Sequence, residues 1–538
     1  MSRILSAFSN RASAVCMARS LKAAYSSRPL PLFSMGLAPI SICKAVTTDY
    51  GKSAMSSSTA SSTSIKQAPG PTNLASDTAT IKEPISPLAK HLIDSIKGGM
   101  GDRRDKAAEK SITDPLFYTA VHSIQINGPI SVAQFMRQSL VHPLGGYYMK
   151  GKVFGPHGDF TTSPEISQMF GELTAVWFVQ YWQSHLASPS DGVTGTFMYS
   201  GKNVPDTSPP KKFSLIELGP GRGTLMKDML TTLTQLKLSS SDHLHAVHLV
   251  EASPELRKVQ ADVLGCPAGC LDRQTYTPGD GTSVSAKTLE GIQIYWHDTI
   301  DCIPSEYDVS SLIIAHEFFD AMPVYKFEKT KDGWRELVVD LENSLQSPLH
   351  FRFVRAPYST KASVALFQED TERRLEHVKI GQCVEIAPDV ISVAKSIAQR
   401  VATSGGAALL IDYGRDHIID DSLRGIKSHQ FVHPLSTPGD CDLSADVDFS
   451  AISHAVKDIA NPHGPVAQGL FLERMGIGAR AMTLINGAST NTERGKPLLQ
   501  HTIVLWTRQL WEKHTRSWPL QSHPLLPMLW NPITHHPT

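Results

Sequence analysis

The fold is decided by one short run of the sequence, Glu217-Leu218-Gly219-Pro220-Gly221-Arg222-Gly223-Thr224. An apolar run at 213–218 leads into it, and a helical pattern of leucines and a methionine follows at 225–236. This order predicts a buried strand, a tight turn and a helix. Glycines at alternate positions let the turn tighten and let a ligand approach the backbone closely. The alternative is an ordinary strand-to-helix turn that binds nothing.

Strand and helix signals alternate along the rest of the chain. A helix opens at Ser253-Pro254, where a capping serine precedes a proline in the first helical position. The predicted strands after the turn lie at 245–250, 292–296, 312–315, 407–411 and 502–506. Such alternation indicates an α/β fold with a doubly wound, mainly parallel sheet. Ligands of these sheets bind outside the carboxyl ends of the strands, so the residues that follow each strand are the candidates for a site.

Acidic residues follow two of these strands. Glu251 ends the second strand, where a carboxylate would accept both hydroxyls of a ribose. After the third strand, Trp296 offers a ring to flank adenine, and Asp298 offers an acceptor for the adenine amine. Two plainer explanations stay open. Glu251 is a surface acid ahead of the Ser253 helix cap, or Asp298 only caps a turn.

The glycine turn has the spacing G-x-G-x-G, with an acid two residues upstream. It resembles motif I of class I S-adenosylmethionine-dependent methyltransferases. A dinucleotide fingerprint would place its third glycine at 224, where this chain has Thr224, which counts against a nicotinamide-linked oxidoreductase. The methionine part of S-adenosylmethionine carries an ammonium and a carboxylate. Glu217 would accept from the ammonium, and Gly219, Gly221 and Gly223 would expose backbone N–H groups.

The fourth strand leads into His316-Glu317-Phe318-Phe319-Asp320-Ala321-Met322-Pro323. In the methyltransferase fold this position faces the methyl acceptor. Two carboxylates there, Glu317 and Asp320, would orient a cationic acceptor and help to remove its proton. The alternative is a helix start with structural aromatic residues.

Several further stretches form a recognisable set. They are Gly128-Pro129-Ile130-Ser131-Val132, Gly146-Tyr147-Tyr148, Gly158-Asp159-Phe160-Thr161-Thr162-Ser163-Pro164-Glu165-Ile166-Ser167, Phe170-Gly171-Glu172, Val384-Glu385-Ile386, Asp412-Tyr413-Gly414 and Asp446-Val447-Asp448-Phe449. With the glycine turn and the run after strand four, they resemble the MidA-like family of S-adenosylmethionine-dependent methyltransferases. The chain departs from the family pattern at Ser428-His429, where a Gly-His pair is expected.

The resemblance implies a class I methyltransferase fold with S-adenosyl-L-methionine as the cofactor. It also implies protein arginine methylation in the assembly of mitochondrial complex I, with a matrix-arm subunit as the protein substrate. An alternative is an assembly chaperone that keeps the fold but does not catalyse. The family places the 158–167 block over the cofactor, so Asp159, Thr162 and Ser163 are candidate contacts. The same block also suits a helix start with Ser163 as the N-cap and Pro164 as the first helical residue.

Composition excludes several other classes. Lys+Arg and Asp+Glu both number 51 in 538 residues, which argues against a broad basic surface for nucleic acid. No run of 18 apolar residues occurs, so no membrane-spanning helix is predicted. Seven cysteines form no disulfide framework. Cys266 and Cys270 have no second ligand pair at zinc spacing, so no metal site is predicted.

The first residues of the chain differ from the rest. No Asp or Glu occurs before Asp49, and six Lys and Arg are interleaved with nine serines there. This composition is typical of a mitochondrial transit peptide, which predicts the matrix as the location.

The predicted organisation begins with a transit peptide at 1–46, a disordered Ser/Thr-rich linker at 47–85 and a helical segment with a cofactor-covering loop at 86–205. The two halves of the methyltransferase core follow at 206–323 and 381–515, with an inserted α+β subdomain at 324–380 between them. A Pro-rich tail is predicted at 516–538.

Overall fold

The structure is a computed structural model. It describes residues 115–150, 162–186, 212–271, 283–487 (without 307, 345, 346, 348 and 418) and 525–532. The predicted transit peptide, the linker, Asp159 and the predicted strand at 502–506 lie outside these ranges. All described residues belong to one compact unit.

Helices and strands are numbered here in chain order. The helices are α1 Pro115–Asn127, α2 Val132–Val141, α3 Ser163–Ile166, α4 Gln168–His185, α5 Thr224–Gln235, α6 Pro254–Val263, α7 Lys361–Leu366, α8 Glu369–Arg374, α9 Pro388–Ser404, α10 Phe449–Val456, α11 Gln468–Arg474 and α12 Ile477–Gly487. The strands are β1 Ile130–Ser131, β2 Lys212–Leu218, β3 Leu244–Val250, β4 Val284–Lys287, β5 Gln293–His297, β6 Val309–His316, β7 Tyr325–Thr330, β8 Gly333–Leu341, β9 Phe351–Arg355, β10 Cys383–Ile386, β11 Gly406–Arg415, β12 Arg424–Lys427, β13 Gln430–Val432, β14 Asp442–Ser444, β15 Val447–Asp448, β16 Ala460–His463 and β17 Leu525–Pro532.

The described strands form a central nine-stranded sheet in the order β16-β17-β11-β6-β2-β3-β5-β4, with β15 paired to β11. The pairs β11–β6, β6–β2, β2–β3 and β3–β5 are parallel, whereas β17 and β4 run antiparallel to their neighbours. The predicted doubly wound, mainly parallel sheet is therefore confirmed. Its parallel strands all direct their carboxyl ends to one edge, which is where the candidate residues lie.

Side-chain alternation along the central strands explains why both faces of the sheet are covered. In β2, Phe213 and Leu215 pack into one core cluster, with residues of α4, α5 and α6. Ile216 and Leu218, which point to the opposite face, pack with residues of α9 and α10. A strand buried on both faces reads as a continuous apolar run, as β2 does.

A second, smaller sheet holds the strands of the predicted inserted subdomain. Its order is β1-β8-β7-β10, and β9 pairs with β8. Strands β7, β8 and β9 lie within the predicted inserted subdomain at 324–380. The sheet also includes β10, which the sequence analysis placed in the second half of the core, because β10 pairs antiparallel with β7. Glu385 of β10 anchors the neighbouring loop by accepting from the backbone N–H groups of Ser422 and Leu423.

The last described strand, β17, lies inside the segment predicted as a Pro-rich tail. It pairs antiparallel with β11 from Ala408 to Tyr413 and with β16 on its other side. The tail prediction is therefore wrong for residues 525–532. The sequence does not predict this strand, because it has prolines at 527 and 532 and no alternation of apolar and polar residues. Across the described helices, none is both long and apolar enough to span a bilayer.

The two-residue turn at 428–429 explains why a glycine is expected there. Lys427 and Gln430 are register partners across the β12–β13 hairpin, so only Ser428 and His429 form the loop. Both have positive φ, at 49° and 61°. A hairpin turn with two positive φ values favours glycine and asparagine, because other side chains crowd the backbone in that region.

Replacing Ser428 with Gly should therefore stabilise the protein. Relief of the left-handed strain exceeds the extra entropy of glycine in the unfolded chain, so we expect a gain of about 0.5–1 kcal/mol in the free energy of unfolding. Denaturant unfolding measures it, with Ser428→Ala as the control that retains a Cβ. Equal stabilities of the two variants would contradict this account.

Candidate functional site

The glycine turn joins β2 to α5 through three residues in the left-handed region. Gly219, Gly221 and Gly223 have φ values of 63°, 52° and 86°. The N–H of Gly223 donates to the Pro220 carbonyl oxygen at 2.7 Å, and Gly223 is the N-cap of α5. A Cβ on Gly219 would lie 2.6 Å from the Phe318 ring, so this glycine is required by contact as well as by conformation.

Glu217, two residues before the turn, is a buried acid without a partner for one oxygen. Its side chain is 2% exposed, and no described group hydrogen-bonds to Oε2. Burial raises the pKa of Glu217 to about 8. A buried polar atom without a partner is energetically unfavourable unless a ligand supplies one. An ammonium group is a suitable partner, so Glu217 fits the methionine end of S-adenosylmethionine.

Glu251 follows β3 and lies next to the glycine turn. Its N–H donates to the His297 carbonyl at 2.9 Å, while the Gly219 N–H donates to the Val250 carbonyl at 3.0 Å. These bonds hold the ends of β2, β3 and β5 side by side. The Glu251 carboxylate accepts from the Ser253 N–H at 2.8 Å, and burial, as the largest effect, raises its pKa to about 7.

Asp298 follows β5 and is already held by a cation. Arg257 of α6 is 2% exposed and donates to Asp298 Oδ1 at 2.7 Å. Its guanidinium also donates to the Glu251 carbonyl oxygen. Arg257 therefore orients the carboxylate that is predicted to contact the adenine amine. The idea that Trp296 flanks adenine is wrong, because this ring is fully buried in the core under α6.

Glu317 lies in a strained turn that Asp412 holds in place. Its φ is 49°, and its N–H donates to the Ile411 carbonyl at 2.9 Å. Asp412 lies within β11, and its Oδ2 accepts from the N–H groups of Phe318, Phe319 and Asp320 at 3.1, 2.8 and 3.3 Å. The Asp412 side chain is fully buried. A positive φ at a non-glycine residue persists only where surrounding contacts impose it, and it is typical of functional positions.

Asp320 is held by hydrogen bonds from the neighbouring segment at 444–445. Its carboxylate accepts from the Ser444 hydroxyl at 3.0 Å, and its carbonyl oxygen accepts from the Ala445 N–H at 2.9 Å. Burial raises the pKa of Asp320, and the charge of nearby Arg424 opposes that effect. A hydroxyl and a guanidinium thus act on the Asp320 carboxylate, whereas Glu317 Oε1 lies 3.5 Å from His316 Nε2. Both catalytic assignments stay predictions.

The 158–167 block begins a helix one residue earlier than predicted. Thr162 is the N-cap of α3, Ser163 is its first residue, and the Thr162 side chain makes no capping bond. The prediction of Ser163 as the N-cap is therefore wrong. Ser163 is fully buried, and Gln468 of α11 donates to its hydroxyl at 3.3 Å. Thr162, which is half-buried, is the better placed of the two to reach a cofactor.

Sequence reasoning missed Arg257 and Gln260 in α6 and the role of Asp412. Both α6 residues occupy the buried face of the helix, beside Leu256 and Ala261. Long polar residues at core-facing positions of a helical pattern are the signal that could have identified them. Asp412 belongs to the motif Asp412-Tyr413-Gly414. The structure explains why its last residue is glycine, since a Cβ on Gly414 would lie 2.2 Å from the Val447 carbonyl oxygen.

The structure thus brings Glu217, the three glycines, Glu251, Asp298 and the Glu317 turn to one edge of a parallel sheet. Phe318 lies against Gly219, so the acidic turn adjoins the glycine turn. A buried acid in β2, a second acid after β3, a G-x-G-x-G turn between β2 and α5 and an acidic turn after β6 are the features of a class I methyltransferase site.

Comparison with known proteins agrees with this class. Residues 175–466 match the family model of S-adenosyl-L-methionine-dependent methyltransferases. The chain is 39% identical over 379 residues to "Protein arginine methyltransferase NDUFAF7, mitochondrial" of Danio rerio, covering 70% of this chain and 81% of that protein. It is 36% identical over 431 residues to the Homo sapiens protein of the same name, covering 80% and 89%. The chain belongs to the MidA-like family of S-adenosylmethionine-dependent methyltransferases.

A solved structure supports the fold. The chain resembles a superfamily member from Burkholderia thailandensis that was crystallised with S-adenosyl-homocysteine, with a TM-score of 0.56 and 22% identity over 80% of this chain and 95% of that one.

Binding of the cofactor should release a proton through Glu217. With a pKa of about 8 this carboxyl is mostly protonated at pH 7. An ammonium partner favours the ionised form, so binding expels the proton, and the release diminishes as the pH rises above 8. We expect S-adenosylhomocysteine to release up to about one proton more from the wild type than from Glu217→Gln at pH 7. Calorimetry in buffers of different ionisation enthalpy measures this, and equal release by both proteins would contradict it.

Proposed function

We propose that this protein is an S-adenosylmethionine-dependent protein arginine methyltransferase, and that it modifies a matrix-arm subunit of mitochondrial complex I during assembly. The observation that carries the reaction is the contact between Phe318 and Gly219. It brings Glu317, a carboxylate on an imposed backbone conformation, next to the turn that would hold the methyl donor. The arginine acceptor is supported by the names of the relatives, and the complex I partner by the family resemblance.

The acceptor's chemistry explains why a carboxylate is needed. A guanidinium has a pKa above ~12, so its nitrogen is a poor nucleophile while the charge is delocalised. Glu317 would localise that charge by hydrogen bonding and accept the proton as the new N–C bond forms. When bound, S-adenosylmethionine supplies the methyl group from its sulfonium. The protein's part is to align the acceptor nitrogen with that methyl and to hold Glu317 toward the nitrogen.

At the cofactor end of the site, each side chain would bind a different part of S-adenosylmethionine. Glu217 would accept from the ammonium of the methionine moiety, and Glu251 would accept from the ribose hydroxyls. Asp298, oriented by Arg257 at 2.7 Å, would accept from the adenine amine. Thr162 at the start of α3 would contact the cofactor from the side of the helical segment.

Mass spectrometry of complex I tests the reaction and the partner together. Matrix-arm subunits from cells that lack the protein should lose a methylated arginine, wild-type protein should restore it, and Glu317→Gln should not. Purified protein with deuterium-labelled S-adenosylmethionine should transfer label to the same arginine. Normal methylation in cells without the protein would refute the proposal. If Glu317→Gln restored assembly without methylation, the protein would be a chaperone.

We also propose that the mitochondrial matrix is the site of action, on the strength of the acid-free segment before Asp49. Residues 1–50 fused to a fluorescent reporter should enter mitochondria. A control in which Arg3, Arg11 and Arg19 are changed to Glu should stay cytosolic, because import requires the positive charge. A diffuse signal from the unmodified fusion would overturn the location.

A further inference from the structure

Gln260 of α6 lies between the glycine turn and the acid that follows β3. It is fully buried. Its Nε2 donates to the Gly221 carbonyl oxygen at 2.8 Å and to Glu251 Oε2 at 3.0 Å. Its Oε1 accepts from the indole N–H of Trp296 at 2.9 Å. One amide group therefore contacts three of the segments that shape the cofactor site.

The partners leave only one orientation for this amide. The Trp296 indole nitrogen can only donate, so the amide oxygen must face it. The two amide hydrogens then point to a carbonyl and a carboxylate, which can only accept. Trp296 is buried in the core, so the orientation of Gln260 is set by the rigid centre of the sheet. Gly223 adds a packing contact, because a Cβ there would lie 3.5 Å from Gln260 Cα and Cγ.

We propose that Gln260 is a positioning residue for the cofactor's ribose. It fixes the Glu251 carboxylate relative to the glycine turn, so that the ribose hydroxyls meet an oriented pair of acceptor oxygens. The Ser253 N–H holds the other carboxylate oxygen at 2.8 Å, so the two donors together define the plane of the carboxylate. This inference rests on the proposed role of Glu251 in binding ribose, and Gln260 itself needs no contact with the ligand.

Two substitutions separate positioning from packing. Gln260→Met keeps the length and apolar volume but removes both donors and the acceptor for the Trp296 N–H. Gln260→Glu keeps the shape and can still accept from Trp296, but it places an oxygen against two acceptors. Gln260→Glu should be the more severe change, because the new carboxylate repels Glu251 and leaves the Gly221 carbonyl without a donor. A role in packing alone would make the loss from Gln260→Met independent of the carboxylate at 251.

The test is a double-mutant cycle measured by calorimetry with S-adenosylhomocysteine as the probe. We expect Gln260→Met to weaken binding about tenfold, and Gln260→Glu to weaken it more. In a Glu251→Gln background, Gln260→Met should cost no more than about threefold, because the carboxylate that it orients is absent. Gln293→Met is the control, since within the described part of the chain Gln293 donates to backbone carbonyls on β4 and β5.

The outcomes distinguish this inference from the function it rests on. Equal losses from Gln260→Met in both backgrounds, or a Glu variant milder than Met, would overturn the positioning role while wild-type binding still supports the cofactor site. If wild-type protein does not bind S-adenosylhomocysteine, the proposed function fails first. Thermal unfolding of each variant identifies a misfolded protein. If Gln260→Met is misfolded, the affinities of Gln260→Glu and Gln293→Met for S-adenosylhomocysteine are compared. Equal affinities would then overturn the positioning role.

Discussion

Glu317→Gln should lower kcat for methyl transfer by about 10²-fold or more, while the affinity for S-adenosylhomocysteine changes by less than about twofold. The amide keeps the shape of the side chain but cannot localise the guanidinium charge or accept its proton. The turn itself should survive, because Asp412 holds it through backbone N–H groups and not through the Glu317 side chain.

The measurements are single-turnover methylation and calorimetry on the same preparation. Asp320→Asn serves as the comparator, because Asp320 is bonded to Ser444 and lies beside Arg424. We expect it to reduce transfer less than Glu317→Gln does. If Glu317 accepts the proton, we expect the wild-type rate to fall at acidic pH and this acidic limb to be absent from Glu317→Gln. A transfer rate like that of the wild type would refute the assignment.

The fold could be predicted because its signals are local. The run from Phe213 to Leu218, the three glycines and the leucine pattern after them each indicate one element, and their order leaves few topologies. The positions of Glu251 and Asp298 followed from the same rule, since Glu251 comes directly after a predicted strand and Asp298 two residues after the next one. None of that required knowledge of a contact between distant residues.

The parts of the site that escaped prediction depend on contacts between residues far apart in the sequence. Gln260 reaches Gly221 across 39 residues, and Asp412 reaches Phe319 across 93. A sequence pattern shows that such side chains are polar, but it does not show which backbone groups they meet. The prediction that Trp296 flanks adenine was wrong for a related reason. Trp296 lies in the predicted strand, but the alternation of side chains along that strand directs its ring into the core.

The buried carboxylate of Asp412 connects the sheet to the acidic turn, and its loss should affect both stability and rate. Its Oδ2 accepts three N–H groups, and its Oδ1 accepts the Tyr413 N–H at 2.8 Å. In Asp412→Asn the amide has one oxygen and one NH₂ group. Either orientation sets that NH₂ against at least one buried N–H donor, at a cost of about 1–3 kcal/mol in the free energy of unfolding.

The matched control for Asp412→Asn is Glu385→Gln. Glu385 is also a buried carboxylate that accepts from backbone N–H groups, but it anchors the loop at Ser422 and Leu423. Both variants should lose stability, as denaturant unfolding would show. Only Asp412→Asn should also lose more than about tenfold in kcat at a temperature where both are folded, because only Asp412 fixes the turn that aims Glu317. Activity that falls equally in the two variants would mean that Asp412 stabilises the fold and has no separate part in directing Glu317 toward the methyl acceptor.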